Sequence, residues 1–232
     1  MSERAATGKR YVTGCTIRLG RPPQALAGAV EERILDAAKK VFLERGFEGA
    51  SIDEIAEVAR AGKPTIYARF PGKEAVFAAV MARHVREVTG SYESIAPAGG
   101  TIEERLASIA TGILRKVLTA ETVGLARATV AEARRFPDLA SSVHRMGRER
   151  GTEAVAQLLS ELAQSDEMRA LPAFAVDRHA ATAKYSIELI VLPMMMRALF
   201  GEDLTALRAE IEPHVAQTVA FFLAACRHGG ID

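Results

Sequence analysis

Basic, hydroxyl-bearing and small side chains are interleaved over one short stretch of the sequence. Lys63, Thr65 and Tyr67 carry hydrogen-bond donors, and Pro64 and Ala68 between them are small and apolar. Amine and hydroxyl groups donate to phosphate oxygens, and small apolar groups contact the methyl group of thymine. The stretch therefore favours recognition of nucleic acid over catalysis.

Apolar spacing around this stretch predicts a very short helix from about Pro64 to Phe70. Ile66 and Phe70 are four residues apart, so they lie on one face, which we expect to pack against the preceding helices. A helix this short is not stable alone, and its outward face needs another reason to exist. The major groove of DNA, about 12 Å wide, accepts such a protruding helix.

Two helices are predicted upstream of this one. From Val30, apolar residues recur every three or four positions until Gly46 ends the first helix. Ser51 and Glu54 have the spacing of a capping box, in which each side chain accepts from the other residue's amide. A second, short helix follows and ends near Arg60.

Helical periodicity continues through the rest of the chain, and no segment of useful length alternates with the period of a strand. The predicted fold is all-α, with three small helices followed by a larger helical bundle. Asp138 is the expected N-cap of one bundle helix. The later helices are expected at about 73–89, 101–117, 121–135, 138–164, 175–200 and 204–227.

The charge is unevenly distributed. The 232 residues contain 30 Lys and Arg against 29 Asp and Glu, a net charge of +1. Residues 1–30 alone contain five basic residues and one acidic residue. We therefore expect a basic, disordered arm over 1–28, which is either a nucleic-acid-binding extension or a solvated tail.

Cysteine usage and hydropathy indicate the compartment. Cys15 and Cys226 lie near opposite ends without CxxC or CxxH spacing, so we expect a reducing environment and no metal site. No stretch approaches the roughly 18 consecutive apolar residues of a spanning helix, and no secretory signal is apparent. The sequence predicts a cytoplasmic protein without a membrane partner and without a cofactor.

Three segments in fixed register resemble the helix-turn-helix of the TetR family of transcriptional regulators. They read SIDEIAEVA at 51–59, KPTIYARF at 63–70 and GKEAV at 72–76. The run AEARRFPDL at 131–139 is similar to the AefR-like group of that family. The resemblance implies about nine helices, a homodimer, and a C-terminal domain that binds a small molecule and thereby controls DNA affinity. It divides the chain into the arm at 1–28, a helix-turn-helix DNA-binding domain at 29–75 and a ligand-binding and dimerisation domain at 76–232.

Three residues depart from the family pattern in and after the turn. Arg60 stands where the family usually has Gly, Gly62 where it has Ser or Thr, and Pro64 where it has Gly. Gly62 is still an acceptable N-cap, and Pro64 has a suitable φ for the first helical position. We expect the fold to survive these departures and the base preference to differ.

Roles at the predicted site follow from residue type and family pattern together. A hydroxyl or amine beside a helix N-terminus donates to an anion favoured there. Phosphate contacts are expected from Ser51, Thr65, Tyr67 and Lys73, although Tyr67 is alternatively a half-buried ring. Base contacts are expected from Lys63, Pro64 and Ala68. Arg60 and Arg69 are either phosphate ligands or solvated surface residues.

The C-terminal region offers weaker signals. Methionines suit adaptable pockets but are also ordinary core residues. The candidate effector-lining residues are Met146, His179, Tyr185, Met194 and Met195, each of which is alternatively a core or surface residue. The last two predicted helices, at about 175–200 and 204–227, are apolar on broad faces, which predicts a four-helix dimer interface.

The function expected from these features is sequence-specific DNA binding by a homodimer at an inverted-repeat operator. Repression relieved by an unknown small-molecule effector is the simplest mechanism. An enzyme is disfavoured, because the sequence has no HExxH, GxSxG or Walker motif. The alternatives are a helical protein-binding adaptor and a ligand-binding enzyme without DNA binding. The donors at Lys63, Thr65, Tyr67 and Lys73 argue against an adaptor.

Overall fold

The computed structural model describes residues 24–163, 171–175 and 178–227. Residues 1–23 of the arm predicted at 1–28 lie outside this range, and residues 24–28 are helical, so the prediction of disorder was wrong for them. The described residues form ten α-helices, and no strand occurs among them. Short 3-10 turns lie at Ser91–Ser94 and Pro172–Phe174. The helices are α1 (Gln24–Gly49), α2 (Ile52–Ala59), α3 (Lys63–Tyr67), α4 (Lys73–Gly90), α5 (Ile102–Val117), α6 (Ala120–Ala131), α7 (Pro137–Leu162), α8 (His179–Leu199), α9 (Leu204–Ala209) and α10 (Ile211–Arg227).

The predicted all-α class is confirmed, whereas several helix boundaries were wrong. α3 ends at Tyr67, and α6 ends at Ala131. α7 begins at Pro137 with Phe136 as its N-cap instead of Asp138, because proline needs no amide partner in the first turn. The single helix expected at 204–227 is two helices. Pro213 lies near the start of α10, where its ring would clash with the carbonyl four residues earlier in a continuous helix.

Aromatic rings hold the N-terminal helices together. Phe42 meets Phe77 edge-on with ring centroids 5.0 Å apart, and Phe47 meets Phe77 at 5.2 Å. Gly46 has φ 68°, a left-handed value that glycine adopts without penalty, and it redirects the end of α1 so that Phe47 enters the core. This core also receives Val76 and Val80 from α4. The fourth helix is therefore packed into the same unit as α1 to α3.

A second core lies between the helices of the C-terminal bundle. Apolar residues of α5, α7, α8 and α10 fill it, and α5 begins with the predicted capping box at Thr101 and Glu104. Leu125 of α6 and Val143 of α7 instead pack into the N-terminal core. The two cores therefore meet along α4, α6 and α7. In the part of the chain that the structure describes, no helix is long and apolar enough to cross a membrane.

Candidate nucleic-acid interface

The turn between α2 and α3 is set by its caps. The Ser51 hydroxyl accepts from the Glu54 amide at 3.1 Å, as predicted, and anchors the start of α2. The Glu54 carboxylate accepts from Arg45 at 3.3 Å and not from the Ser51 amide, so the predicted capping box is only half formed. Arg60 ends α2 in the left-handed conformation with φ 48°, where many turns have glycine. Gly62 is the N-cap of α3, and Pro64 follows in its first turn.

The short helix α3 has one buried face and one exposed face, as its spacing predicts. Ile66 is fully buried, which stabilises the docked helix by roughly 1.5–3 kcal/mol, and Phe70 is also buried. The outward face carries Lys63, Pro64, Tyr67 and Ala68. The predicted base-contacting residues and the Tyr67 hydroxyl therefore share the surface that projects from the domain.

The basic residues around α3 have different local partners. Lys63 Nζ donates to Asp53 Oδ2 at 2.7 Å, but both side chains are exposed, so DNA can displace this pair at little cost. Arg69 donates to the Thr65 carbonyl at 3.1 Å. Arg60 is exposed and forms no ion pair with a described residue.

Lys73 at the start of α4 is fully occupied by backbone groups. Its ammonium donates to the carbonyls of Phe47, Glu48 and Ala50 at 2.7, 3.2 and 3.0 Å, and it lies 4.5 Å from the Phe47 ring centroid. An ammonium group has three donors, and all three are used. A phosphate contact from Lys73 would require exchange of one of these bonds. The structure gives Lys73 a positioning role that sequence reasoning missed.

The same region is joined to the C-terminal bundle. The Phe47 ring meets Phe136 from the α6–α7 loop at 5.4 Å, and Arg135 of that loop is hydrogen-bonded to Glu48. The loop is the segment that carries the AEARRFPDL run. The C-terminal bundle thus contacts the place where α1 ends and α4 begins.

A second junction lies farther along α4. His84 is buried and its Nε2 is 3.0 Å from Thr122 Oγ1 of α6. Burial lowers the pKa of His84 below its ordinary value, which favours the neutral imidazole. Partial burial favours the protonated form of Glu121, but Lys39 and His84 nevertheless hold the pKa of Glu121 below its ordinary value. This cluster was not predicted, because its members are far apart in sequence.

A narrow apolar cavity lies within the C-terminal bundle. Its enclosed volume is only about 20 Å³, roughly the space of one water molecule, and it continues into a cleft open to solvent. Ser186 and Thr218 are the hydroxyl-bearing residues in its lining. The apolar lining comes from Leu106, Ile109, Ala110, Ile113, Val155, Leu159, Ile187, Ile190, Val191, Val219 and Phe222.

The residues predicted to line an effector site do not line this cavity. Met194 is buried in the core, Met146 and Met195 are partly buried, and Tyr185 is 44% exposed, and none of them is among the cavity-lining residues. The side chain of His179 lies outside the described residues. The cavity-lining residues come from four different helices and are individually ordinary core types, so no local motif marks them.

Large apolar side chains are exposed on the last helices. Phe221 of α10 is 65% exposed and Leu192 of α8 is 52% exposed. Tyr185, Leu189, Met196 and Phe200 are also exposed on or at the end of α8. An apolar surface of this kind is unusual on a soluble monomer.

The short helix α3 has one buried and one exposed face, and a tight turn joins it to α2 within an all-α fold. This arrangement defines the class of helix-turn-helix DNA-binding proteins. Within that class, residues 34–80 match the family model of the bacterial regulatory proteins of the tetR family. Residues 104–227 match the C-terminal domain of AefR-like transcriptional repressors, more than half of the chain. The chain belongs to the TetR family with an AefR-like C-terminal domain. It is a transcriptional regulator and not an enzyme.

Solved structures and curated proteins agree with this assignment. A TetR-family regulator from Mesorhizobium loti is 26% identical, with TM-score 0.72 over 86% of this chain and 97% of that chain. The flavonoid-responsive regulator FrrA is 30% identical, with TM-score 0.63 over 86% and 98%. The repressor ComR of Escherichia coli is 37% identical over 60 residues, 26% of this chain and 29% of ComR. The activator FasR of Mycolicibacterium smegmatis is 43% identical over 53 residues, 23% of this chain and 24% of FasR. The chain therefore spans under a third of the length of these two curated relatives.

Proposed function

We propose that the protein is a homodimeric repressor that binds an inverted-repeat operator and is released by a small, uncharged effector. The observation that carries the proposal is α3, whose buried Ile66 and Phe70 fix an outward face of Lys63, Pro64, Tyr67 and Ala68. A face of this composition suits the major groove.

Contacts at the operator are assigned by position. The hydroxyl groups of Ser51, Thr65 and Tyr67 donate hydrogen bonds to phosphates. The Lys63 ammonium leaves the Asp53 carboxylate and contacts a base edge or a phosphate. Pro64 and Ala68 contact thymine methyl groups. Arg60 and Arg69 flank this surface and add phosphate contacts.

Dimerisation is assigned to the exposed apolar residues of α8 and α10. Pairing these two helices with those of a second copy forms a four-helix interface that covers Leu192 and Phe221. A two-fold dimer presents two α3 helices, so its half-sites lie about one helical turn or slightly more apart.

The effector site is assigned to the apolar cavity of the C-terminal bundle. A lining with two hydroxyl groups and no charged side chain favours an uncharged, largely apolar ligand. The similarity to a flavonoid-responsive regulator supports a ligand of that character. A ligand larger than water must separate the helices that line the cavity. This displaces α7, which packs against α4, and lowers the affinity for DNA.

The test of DNA recognition is selection from a random pool of DNA duplexes. We expect the full-length protein to enrich an inverted repeat. A protein with Ala68→Glu on the outward face of α3 should not enrich it, because a carboxylate would face the DNA. As a matched control, Val130→Glu adds the same charge at an exposed position of α6, away from α3 and from the proposed dimer helices, and should leave the enriched sequence unchanged. Failure of the unaltered protein to enrich any common sequence would contradict the proposal.

A further inference from the structure

The junction between α4 and α6 brings together one imidazole and two carboxylates. The ligand atoms of His84, Glu87 and Glu121 all lie within 4.8 Å of one another. His84 and Glu87 are three residues apart on α4 and therefore share a face, and Glu121 comes from the first turn of α6. One nitrogen and two oxygens form a common donor set for divalent transition metals.

The orientation of His84 points to a cation at this place. The residue is 6% exposed, and its Nδ1 has no hydrogen-bond partner although Glu121 Oε1 is only 3.1 Å away. The same oxygen accepts from Lys39 Nζ at 2.9 Å, so the imidazole and the ammonium face one carboxylate oxygen. The separation of Nδ1 and Oε1 fits two atoms that bind one tetrahedral metal ion. Metal–ligand bonds of about 2.0–2.1 Å place two such ligand atoms about 3.3 Å apart, with both directed at the metal.

Nε2 on the other side of the ring already has a partner. It is 3.0 Å from Thr122 Oγ1, and Thr122 in turn accepts from Thr119 Oγ1 at 2.9 Å. Metal-binding histidines typically use the second ring nitrogen in this way, which fixes the orientation of the ring.

The charges around the junction do not balance. The connected ion pairs contain two cations, Arg83 and Lys39, and four carboxylates. The carboxylates are those of Glu32, Asp36, Glu87 and Glu121. These six side chains carry a net charge of −2, which a divalent cation neutralises.

We propose that His84, Glu87 and Glu121 bind a divalent transition-metal ion, with Zn²⁺ as the best match to one imidazole and two carboxylates. Three protein ligands leave a position for water in a tetrahedral shell. Because the ligands come from α4 and α6, the ion would join the DNA-binding unit to the C-terminal bundle. The site is separate from the effector cavity.

Lys39 competes with the ion. Its ammonium is 2.9 Å from Glu121 and 4.0 Å from Glu87, and its side chain is 22% exposed. An ion pair with a partly exposed partner is weak, so Lys39 can turn towards solvent when the metal enters. Removal of this positive charge should therefore strengthen metal binding, which a purely structural ion-pair network does not predict.

Calorimetric titration of the full-length, chelator-treated protein with ZnCl₂ tests the site in the absence of DNA. We expect saturable binding of one Zn²⁺ per chain, weakened at least tenfold in Glu121→Gln and in His84→Asn. Lys39→Met should bind more tightly than the unaltered protein. His144→Asn removes an exposed histidine and is the matched control that should bind as before.

A second measurement keeps the test valid if His84→Asn does not fold. Glu87→Gln and Glu121→Gln change only partly exposed or exposed side chains, so the fold should persist, which circular dichroism checks. Co²⁺ should give visible absorption from the unaltered protein and from His144→Asn, and this absorption should be lost in Glu121→Gln. The proposal is overturned if no saturable binding occurs, or if Glu121→Gln binds Zn²⁺ as tightly as the unaltered protein.

Discussion

Lys73 illustrates how a single side chain can serve the interface without touching its ligand. The last carbonyls of a helix have no partners within it, and α1 ends at Gly49 beside the start of α4. Lys73 donates to three carbonyls in this region while its charge lies over the Phe47 ring. The ammonium therefore fixes the angle between α1 and α4, which in turn fixes α3.

Replacement of Lys73 by Met should lower stability. The carbonyls of Phe47 and Ala50 would lose a partly buried donor, at a cost of about 1–3 kcal/mol. Thermal unfolding followed by circular dichroism measures this loss. If all three donors remain on the carbonyls in the complex, the salt dependence of DNA binding should not change. A slope reduced by about one would instead support the phosphate contact expected from the sequence.

Tyr67→Phe should weaken DNA binding without lowering the stability of the fold. The Tyr67 ring is 52% exposed, and loss of its hydroxyl removes a proposed phosphate contact without disturbing the core. Affinity should fall to a similar degree on every DNA sequence, since phosphate contacts carry no sequence information, and the melting temperature should be unchanged. Fluorescence anisotropy with the selected operator and with two altered operators measures both quantities. Unequal losses on the three duplexes would contradict the phosphate role.

At the scale of elements, the α2–α3 turn is governed by Arg60. Its φ of 48° is the one positive φ among the described non-glycine residues. An L-residue in this conformation is strained by roughly 1–2 kcal/mol because its Cβ approaches the carbonyl oxygen. The retained strain fits a residue whose guanidinium has a use at the interface.

Arg60→Gly should therefore stabilise the fold and weaken DNA binding. Relief of the left-handed strain, reduced by the greater entropy of glycine in the unfolded chain, should leave a gain of about 0.5–1 kcal/mol. Arg60→Ala is the matched control, because it removes the same charge but keeps the Cβ. Urea unfolding should separate the two variants, while anisotropy should find similar losses of DNA affinity. An equal stability of the two variants would refute the strain argument.

Local signals account for the elements that sequence could predict. The Ser51 and Thr101 caps and the four-residue spacing of Ile66 and Phe70 each act within one turn of helix, so they can be read from the sequence. The split between α9 and α10 had a readable signal in Pro213, which was missed. The junction of His84 with Glu121 and the donors of Lys73 depend on how distant segments pack, and no local pattern encodes that.

At the scale of the whole molecule, α8 and α10 leave an apolar surface that we assign to a second copy. Phe222 is not suitable for testing this interface, because its side chain is only 4% exposed and lines the cavity. A charge at Phe222 would be buried and would unfold the bundle whatever the oligomeric state. Its neighbour Phe221 is 65% exposed and is the better choice.

Phe221→Glu combined with Leu192→Glu should give folded monomers that no longer bind the operator. Charges within an apolar interface are costly to desolvate, whereas in a monomer they remain in water. Sedimentation velocity at micromolar concentration measures the oligomeric state. Val130→Glu places the same charge on the exposed apolar residue of α6 and should leave the dimer intact. If the double variant still sedimented as a dimer, the assignment of the interface to α8 and α10 would be wrong.

The C-terminal bundle contacts the DNA-binding unit near both ends of the long fourth helix. Phe136 and Arg135 reach the α1–α4 corner, and Glu121 and Thr122 reach His84 farther along α4. A movement of α6 and α7 is therefore passed to α4 at two places. Because α4 begins beside α3, we expect the two α3 helices of the proposed dimer to change their separation when the bundles rearrange.

This arrangement predicts reciprocal coupling between effector and operator. A ligand lowers DNA affinity only if it binds the DNA-incompetent arrangement more tightly, and a coupling of about 1–3 kcal/mol corresponds to about 5- to 150-fold. A saturating concentration of operator DNA must then weaken ligand binding by the same factor. Uncharged, largely apolar compounds are screened first, and any that binds is titrated by calorimetry with and without operator. Ala110→Val, which narrows the cavity from α5 with the smallest added volume, should weaken ligand binding while DNA binding is retained. If the ligand bound with equal affinity in the presence and absence of operator, the cavity would not be coupled to α3. Thermodynamic linkage requires the ligand and the operator to change each other's affinity by the same factor.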